Sequence, residues 1–186
     1  MVRRKHTRRS RAGLSTLEVA TLVSVVGMLL AVALPTLGRT VRPSKLSEAS
    51  EQLDALYHAV AAYYATPRPA ANGGSTHCLP APAGPTPEAP SITPVKTDFT
   101  AQSSVGASTW KDLGFAPETP LRYRYSYTPA AWGCTRNLSE GRLIVLRAEG
   151  DLDGDGLYSS YERRARILPG GKLLPDKVLH VQDRIE

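Results

Sequence analysis

The sequence predicts an α+β fold in which a long N-terminal helix packs on a small antiparallel β-sheet. An uncharged apolar run leads into a segment with one apolar stripe, a proline-rich stretch then ends the helical periodicity, and short alternating segments fill the remainder. The 186 residues are enough for one domain of ordinary size. We divide the chain into five parts: residues 1–13 as a basic leader that is cleaved off, 14–38 as the transmembrane or assembly half of the helix, 39–66 as its amphipathic half, 67–100 as a proline-rich loop, and 101–186 as the sheet with a calcium loop.

The first 13 residues account for the whole net charge of +6, because they carry six basic residues and no acidic one. The rest of the chain has 17 basic and 17 acidic side chains. This balance argues against a cationic surface of the kind that binds nucleic acid, so no nucleic-acid partner is expected. Basic residues directly before an apolar run indicate that this end stays on the cytoplasmic side of a membrane.

The apolar run covers residues 19–38 without a charged side chain. A helix of this length rises about 30 Å, the thickness of a hydrocarbon core. The run therefore predicts a single membrane-spanning helix, with the C-terminal domain outside the cytoplasm. Two other interpretations remain open: a plain signal anchor, and a secretory signal cleaved at the A-x-A site Ala31-Val32-Ala33.

The junction between the leader and the apolar run reads Gly13-Leu14-Ser15-Thr16-Leu17-Glu18. It resembles the signal of type IV pilins and pseudopilins, in which a basic leader ends in Gly and a Glu stands fifth after the cut. Leu14 departs from the family, where Phe is usual. The resemblance implies cleavage by prepilin peptidase between Gly13 and Leu14, methylation of the new amine on Leu14, residence in the inner membrane, and assembly with other pilin or pseudopilin subunits. It covers residues 1 to about 65 well and the remainder in outline.

Glu18 places a carboxylate at the head of the apolar helix, where it is costly in hydrocarbon unless it is paired. By the resemblance, Glu18 neutralises the N-terminal amine of a neighbouring subunit during assembly. Such a buried ion pair sets register more than it adds stability. The alternative is that Glu18 is an ordinary acidic residue favoured by the helix dipole at a helix start.

Residues 44–66 continue as an amphipathic helix, after interruptions around Pro35, Gly38 and Pro43. The apolar positions recur at spacings of three and four: Leu46, Ala49, Leu53, Leu56, Val60 and Tyr63. This stripe predicts the face that packs on the sheet. By the resemblance, Pro35 lies where the family often has a proline.

Residues 67–94 contain eight prolines and three glycines, which argues against regular helix and against a central strand. The segment is predicted to be a long surface loop. It contains Cys78, and the other cysteine of the chain is Cys134. In an oxidising compartment the two would form a disulfide that pins the loop to the sheet. A metal site made by the two thiols beside His77 is the weaker alternative.

Period-two alternation predicts the strands. Residues 121–128 alternate Leu or Tyr with polar side chains, 141–149 contain the apolar core of a central strand, and 177–182 suit a last strand. Trp110, Leu113 and Phe115 are predicted to cover an edge of the sheet.

Residues 151–162 follow the calcium-loop pattern D-x-D-x-D-G-x5-E. Hard oxygen ligands at alternate positions can wrap one Ca²⁺ ion, and the Gly after the third Asp permits the sharp turn. The pattern assigns six ligands: the carboxylates of Asp151, Asp153 and Asp155, the carbonyl of Leu157, Ser159 directly or through water, and a bidentate Glu162. A strand precedes the loop and no second loop pairs with it, so a lone structural site is expected. The alternative is an acidic turn that binds no ion.

No arrangement of nucleophile, His and acid stands out in the sequence, and no glycine-rich phosphate loop appears, so no enzymatic activity is expected. The predicted function is that of a major or minor structural subunit of a type IV pilus. A subunit of a type II secretion pseudopilus is the alternative within the same class. A secreted or anchored calcium-binding module is the alternative from another class.

Overall fold

The computed structural model describes residues 15–69, 73–134, 141–168 and 172–182, with the side chains of residues 32–46 outside the described set. The chain divides into two compact units, Met1–Ser44 and Lys45–Glu186. Helix α1 is assigned to Thr16–Ala65 and helix α2 to Ala107–Leu113. The strands are β1 Arg68–Pro69, β2 Ser75–Thr76, β3 Ala83–Thr86, β4 Arg124–Pro129, β5 Leu143–Gly150, β6 Ser159–Leu168, β7 Lys172–Pro175 and β8 His180–Gln182.

One six-stranded antiparallel sheet forms the centre of the second unit. Its order is β3-β4-β5-β6-β7, and β8 pairs with the first part of β6 while β7 pairs with the last part. Strands β1 and β2 form a separate two-stranded ribbon. The predicted segments 121–128, 141–149 and 177–182 contain β4, β5 and β8 in whole or in large part.

The inner face of the sheet is apolar because alternate residues of each strand point to the same side. Strand β4 and the residue before it contribute Tyr123, Tyr125 and Tyr127. Strands β5 and β6 add a fourth tyrosine and five aliphatic side chains: Tyr161, Ile144, Leu146, Ala148, Ala165 and Ile167. All of these side chains are buried. The alternation of Leu or Tyr with polar side chains in residues 121–128 therefore corresponds to a buried face of the sheet.

The second part of α1 covers this face with the buried stripe Ala49, Leu53, Leu56, Val60 and Tyr64. Tyr64 takes the end of the stripe that the spacing assigned to Tyr63, which is only partly buried. Polar contacts also bind the helix to the sheet unit, at the start of this stretch and near its middle. The Glu48 carboxylate accepts hydrogen bonds from the backbone N–H of Arg122 at 2.7 Å and of Tyr123 at 3.3 Å, and the Tyr57 hydroxyl donates to the carbonyl of Leu173 at 3.3 Å.

Aromatic side chains close the β3 end of the core, where α2 lies. The Phe99 ring stands edge-on to those of Trp110 and Phe115, with centroids 5.3 and 5.2 Å apart. The Trp110 indole N–H donates to the Thr86 hydroxyl at 3.1 Å, so the buried polar atoms of both residues are paired. Trp110, Leu113 and Phe115 are buried, as their predicted covering role requires.

The proline-rich segment is more structured than a surface loop, since it contains β1, β2 and the edge strand β3. Proline is compatible with an edge strand, where its missing N–H faces away from the ladder. Strand β3 pairs with β4 through Ala83–Tyr127 and Thr86–Tyr125, with an irregular register between them. The described part of the proline-rich segment thus contains no central strand, as predicted, but it contains an edge strand that was not predicted.

The predicted fold class, a pilin-like α+β fold with a long N-terminal α-helix packed on a small antiparallel β-sheet, is wrong. Where side chains are described, the helices are three short segments: residues 16–31 and 47–65 of α1, and residues 107–113 of α2. They accompany the six-stranded sheet and the two-stranded ribbon, and the first segment has only 16 residues. Every described side chain of residues 15–31 is exposed. The physical reason is the distribution of apolar side chains around the helix. In residues 47–65 they form a single stripe that packs on the sheet, whereas in residues 16–31 they are spread over all sides and form no such stripe.

The predicted location, a single pass through the inner membrane with the C-terminal domain outside the cytoplasm, is also contradicted. Across the part of the chain that the structure describes, no helix combines the length and the apolar character needed to span a membrane. The first described segment has 16 residues and rises about 24 Å, short of the roughly 30 Å of a hydrocarbon core.

Candidate functional site

The first segment of α1 is apolar around its whole circumference. Large apolar side chains with between 46 and 75% of their surface exposed occur at nine positions: Leu17, Val19, Leu22, Val23, Val25, Val26, Met28, Leu29 and Leu30. Adjacent residues such as Leu22 and Val23 lie about 100° apart on a helix, so these positions do not form one stripe. A helix that is apolar all round is normally buried all round.

The start of this segment is a capping box made by Ser15 and Glu18. The Ser15 backbone N–H donates to Glu18 Oε2 at 2.8 Å, and the Glu18 backbone N–H donates to the Ser15 hydroxyl at 3.3 Å. The two bonds satisfy donors at the helix start that have no partner within the helix. The hydrogen bonds from Ser15 hold the pKa of Glu18 below its ordinary value. The carboxylate is therefore ionised at neutral pH and already has a role inside its own chain.

Ser15 is a helix-capping residue that was not among the predicted site residues. The signal was present, because Ser15-x-x-Glu18 matches the S/T-x-x-E capping pattern directly before an apolar run. The predicted cleavage and methylation residues, Gly13 and Leu14, lie outside the described residues.

The acidic hairpin, residues 151–157, joins β5 to β6. Asp151, Asp153 and Asp155 each offer a carboxylate oxygen, and these oxygens lie within 4.8 Å of one another. The carboxylates also shape the turn: Asp151 accepts from the N–H groups of Gly154 at 2.7 Å and Gly156 at 3.1 Å. Within the described ranges, no other three His, Cys, Asp or Glu side chains hold their ligand atoms this close together.

Of the other predicted calcium ligands, Ser159 and Glu162 have partners elsewhere, whereas Leu157 lies beside the aspartates. Leu157 is in the hairpin, and its N–H donates to Asp155 Oδ1 at 2.7 Å. The Ser159 hydroxyl is buried and donates to the Gly150 carbonyl at 3.1 Å. The structure does not bring Glu162 to the aspartates.

Glu162 lies in β6 and is held by two arginines. One carboxylate oxygen accepts from the Nε of Arg147 at 2.9 Å, and the other accepts from Nη2 of Arg164 at 2.8 Å. Its side chain is only 14% exposed. Glu162 is thus part of an ion-pair network on the outward face of the sheet.

The acidic hairpin has the chemistry of a hard-cation site. Three carboxylates this close repel one another when no cation neutralises them, and oxygen donors are the ligands that Ca²⁺ prefers. The residues present fit a Ca²⁺ ion held by three aspartates and by backbone carbonyls or water.

The two cysteines are joined in a disulfide between Cys78 and Cys134, as predicted. The neighbouring residues Leu79 and Gly133 exchange backbone hydrogen bonds of 3.2 and 2.8 Å. The disulfide therefore links the proline-rich segment to the chain that follows β4.

Comparisons with known proteins leave the family open: no protein-family model matches the chain, and neither a curated protein nor a solved structure matches it.

Proposed function

We propose that the chain is a structural subunit of a type IV pilus-like fibre, released from its basic leader by cleavage between Gly13 and Leu14 and assembled through residues 14–31. The observation that carries the proposal is the uncovered apolar segment of α1 headed by Glu18. The leader, the glycine before the cut and the fifth-place Glu18 support it from the sequence.

The exposed segment needs a partner that surrounds it. Nine large apolar side chains, each about half exposed or more, would gain roughly 25 cal/mol for every Å² removed from water. A single flat partner surface would cover one side of the helix and leave the other in water. A bundle formed by the same segment from several copies covers all sides, which is the arrangement a helical fibre provides.

Glu18 gives such a bundle its register. Inside an apolar bundle a lone carboxylate is costly, so a cation must lie beside it. Cleavage after Gly13 creates one at the amine of Leu14, four residues before Glu18. The capping box engages Oε2 of Glu18 through Ser15. The amine of a neighbouring copy pairs with the carboxylate through the remaining oxygen.

The intact mass of the protein recovered from its native cells tests the processing step. A chain that begins at Leu14 and carries one added methyl group is expected. A chain that begins at Leu34, after the A-x-A site, would make the segment part of a discarded secretory signal and would overturn the proposal.

The Glu18→Gln variant tests the charge of Glu18 separately from its capping role, since Gln also serves in a capping box. The variant is expected to be trimmed normally but to lower the assembled fraction at least about tenfold, because an unpaired member of a buried ion pair costs several kcal/mol. Electron microscopy and pelleting of fibres provide the measurement. Ser15→Ala is the matched control: an equal loss in Ser15→Ala, or normal fibres in Glu18→Gln, would contradict the pairing.

A second candidate function, calcium binding, is favoured by the three clustered carboxylates of the acidic hairpin. In this proposal Ca²⁺ stabilises the turn between β5 and β6 rather than acting as a signal. Millimolar Ca²⁺ is expected to raise Tm, because a ligand that binds the folded state stabilises it by mass action. Mg²⁺ at the same concentration is the control for ionic strength.

Two variants distinguish the ligands. Asp153→Ala is expected to abolish the calcium-dependent rise in Tm. Glu162→Gln is expected to keep it, because Glu162 is bound by Arg147 and Arg164. An unchanged Tm of the unaltered protein in Ca²⁺ would leave an acidic turn without an ion.

A further inference from the structure

The two ends of the β5–β6 hairpin carry opposite charges. At one end the acidic hairpin holds Asp151, Asp153 and Asp155 within five residues. At the other end, exposed cations lie on the outward face of the sheet, with Arg166 in β6 and Lys172 in β7. Each end of the hairpin can therefore attract a surface of the opposite charge.

The basic patch is defined here as Leu143, Arg166, Lys172 and Leu174. Leu143 is paired with Arg166 and Arg166 with Leu174, so the three lie in one row across β5, β6 and β7, and Lys172 lies in the next row opposite Leu168. The Arg166 side chain is 59% exposed, and its ion pair with Asp176 has a separation of 4.0 Å. Leu174 is 47% exposed. The patch thus combines guanidinium and ammonium donors with an uncovered apolar side chain.

The acidic hairpin has the complementary composition. Its aspartates accept hydrogen bonds, and Leu157, which follows them, is 64% exposed. Carboxylates pair with arginine through short, charge-assisted hydrogen bonds, and a leucine contact at the centre of a charged rim is a common interface composition. Charge complementarity of this kind steers association and fixes register.

One chain cannot make this contact with itself. Strand β6 has 10 residues from the end at the acidic hairpin to the end that leads to β7, a span of about 30 Å. We infer that the acidic hairpin of one copy docks on the basic patch of a second copy. The contact is heterologous, so it leaves a free acidic end and a free basic end, and it repeats along a fibre. The inference rests on the proposed fibre function and adds a contact between sheet units to the one between helices.

Zero-length carbodiimide cross-linking of the mature protein, in buffer without Ca²⁺ so that the aspartates of the acidic hairpin are free, tests the inference, because the reagent joins only a carboxylate and an amine in direct contact. A mixture of ¹⁴N- and ¹⁵N-labelled chains identifies links between copies by mass spectrometry. Links from the acidic hairpin to Lys172 are expected, and links to the exposed Lys96 and Lys111 measure random encounters. Equal yields at all three lysines, or no link to Lys172 in assembled fibres, would overturn the inference.

Charge reversal provides the matched variants. Arg166→Glu is expected to lower the Lys172 link by about tenfold, and Lys96→Glu is expected to leave it unchanged. Asp153→Arg is expected to lower the link as well. An equimolar mixture of Asp153→Arg and Arg166→Glu chains should restore it, because each supplies the end that the other lacks, and failure to restore it would contradict the pairing.

The outcome separates this inference from the proposed function. Fibres that assemble normally and depend on Glu18, but give no Lys172 link, would contradict the contact between sheet units and leave the helix-based fibre in place. Lys172 links in a protein whose mature chain begins at Leu34 would keep the sheet contact and remove the helix-based fibre.

Discussion

Glu162 lies on the outward face of β6 between Arg147 of β5 and Arg164 of its own strand. Partial burial by itself raises the pKa of Glu162, but the hydrogen bonds and charges of Arg164 and Arg147 outweigh that effect and lower it below the ordinary 4.5. A carboxyl whose pKa is lowered on folding stabilises the folded state while it is ionised. The stabilisation is present above pH 4.5 and is lost as the pH falls through the lower folded pKa.

The Glu162→Gln variant is therefore expected to lower stability at neutral pH by about 1 kcal/mol, or about 3 °C in Tm. The difference from the unaltered protein should shrink as the pH falls below 4.5, because protonation removes the same charge. Thermal melts between pH 3 and 7 provide the measurement. Glu118→Gln, at an exposed position, is the control. A difference that stays constant over this range would show that the carboxylate charge has no part in stability.

The position of Glu162 in the structure differs from the position that its spacing in the sequence indicates. The calcium pattern counts Glu162 as the twelfth position, as if a helix followed the loop. Strand β6 begins at Ser159 instead, and three extended residues carry Glu162 about 10 Å along the sheet. Glu48 was missed for another reason: it bonds to backbone groups 74 and 75 residues away, and no local pattern predicts such partners.

At the element scale, strand β5 ends at Gly150. The ring of Tyr123 occupies the space that a side chain at position 150 would need. A Cβ added to Gly150 would lie 2.5 Å from Cε1 and 2.7 Å from Cδ1 of Tyr123. Tyr123 is fully buried and also stands edge-on to Tyr161. Gly150 is thus required for packing between β4 and β5.

Gly150→Ala is expected to destabilise the protein by roughly 2–3 kcal/mol, since overpacking in a close-packed core costs 1–3 kcal/mol. Urea unfolding measures the change. In a Tyr123→Leu background the smaller side chain makes room for the methyl group, so the cost of Gly150→Ala should fall there. Strictly additive effects of the two substitutions would contradict the proposed contact.

Elements with strong internal periodicity were predictable, and those defined by their neighbours were not. The 3–4 spacing from Ala49 to Val60 and the alternation from Tyr123 to Tyr127 both correspond to buried faces. Strand β3 was not recognised because its proline, Pro85, is tolerated at the edge of a sheet but not in a central strand, and an edge is a property of the assembled sheet. The apolar run of residues 19–38 was predicted to span a membrane, which the described part of the chain contradicts. A pattern without a stripe indicates no particular face, so it does not show what covers the helix.

At the scale of the whole molecule, the Cys78–Cys134 disulfide ties together parts of the chain that are 56 residues apart. It encloses β3, α2 and β4, which pack one side of the core. In the chain-entropy model, a cross-link of this span restricts the unfolded chain enough to stabilise the fold by about 4 kcal/mol. The adjacent backbone hydrogen bonds between Leu79 and Gly133 hold the same two segments in the folded state without it.

Reduction of the disulfide is therefore expected to leave the folded arrangement in place but to lower its free energy of unfolding by several kcal/mol, toward the roughly 4 kcal/mol of the entropic model. Urea unfolding with and without a phosphine reductant measures the loss, and hydrogen exchange at Leu79 and Gly133 tests whether their bonds persist. The Cys78→Ala, Cys134→Ser double variant should match the reduced protein and should not respond to reductant. Since Cys78 is buried and Cys134 exposed, the Cys134→Ser single variant separates the cross-link from the packing of Cys78. If the reduced protein loses protection at Leu79 and Gly133 throughout, the disulfide maintains the folded arrangement itself, and its effect is not confined to the unfolded chain.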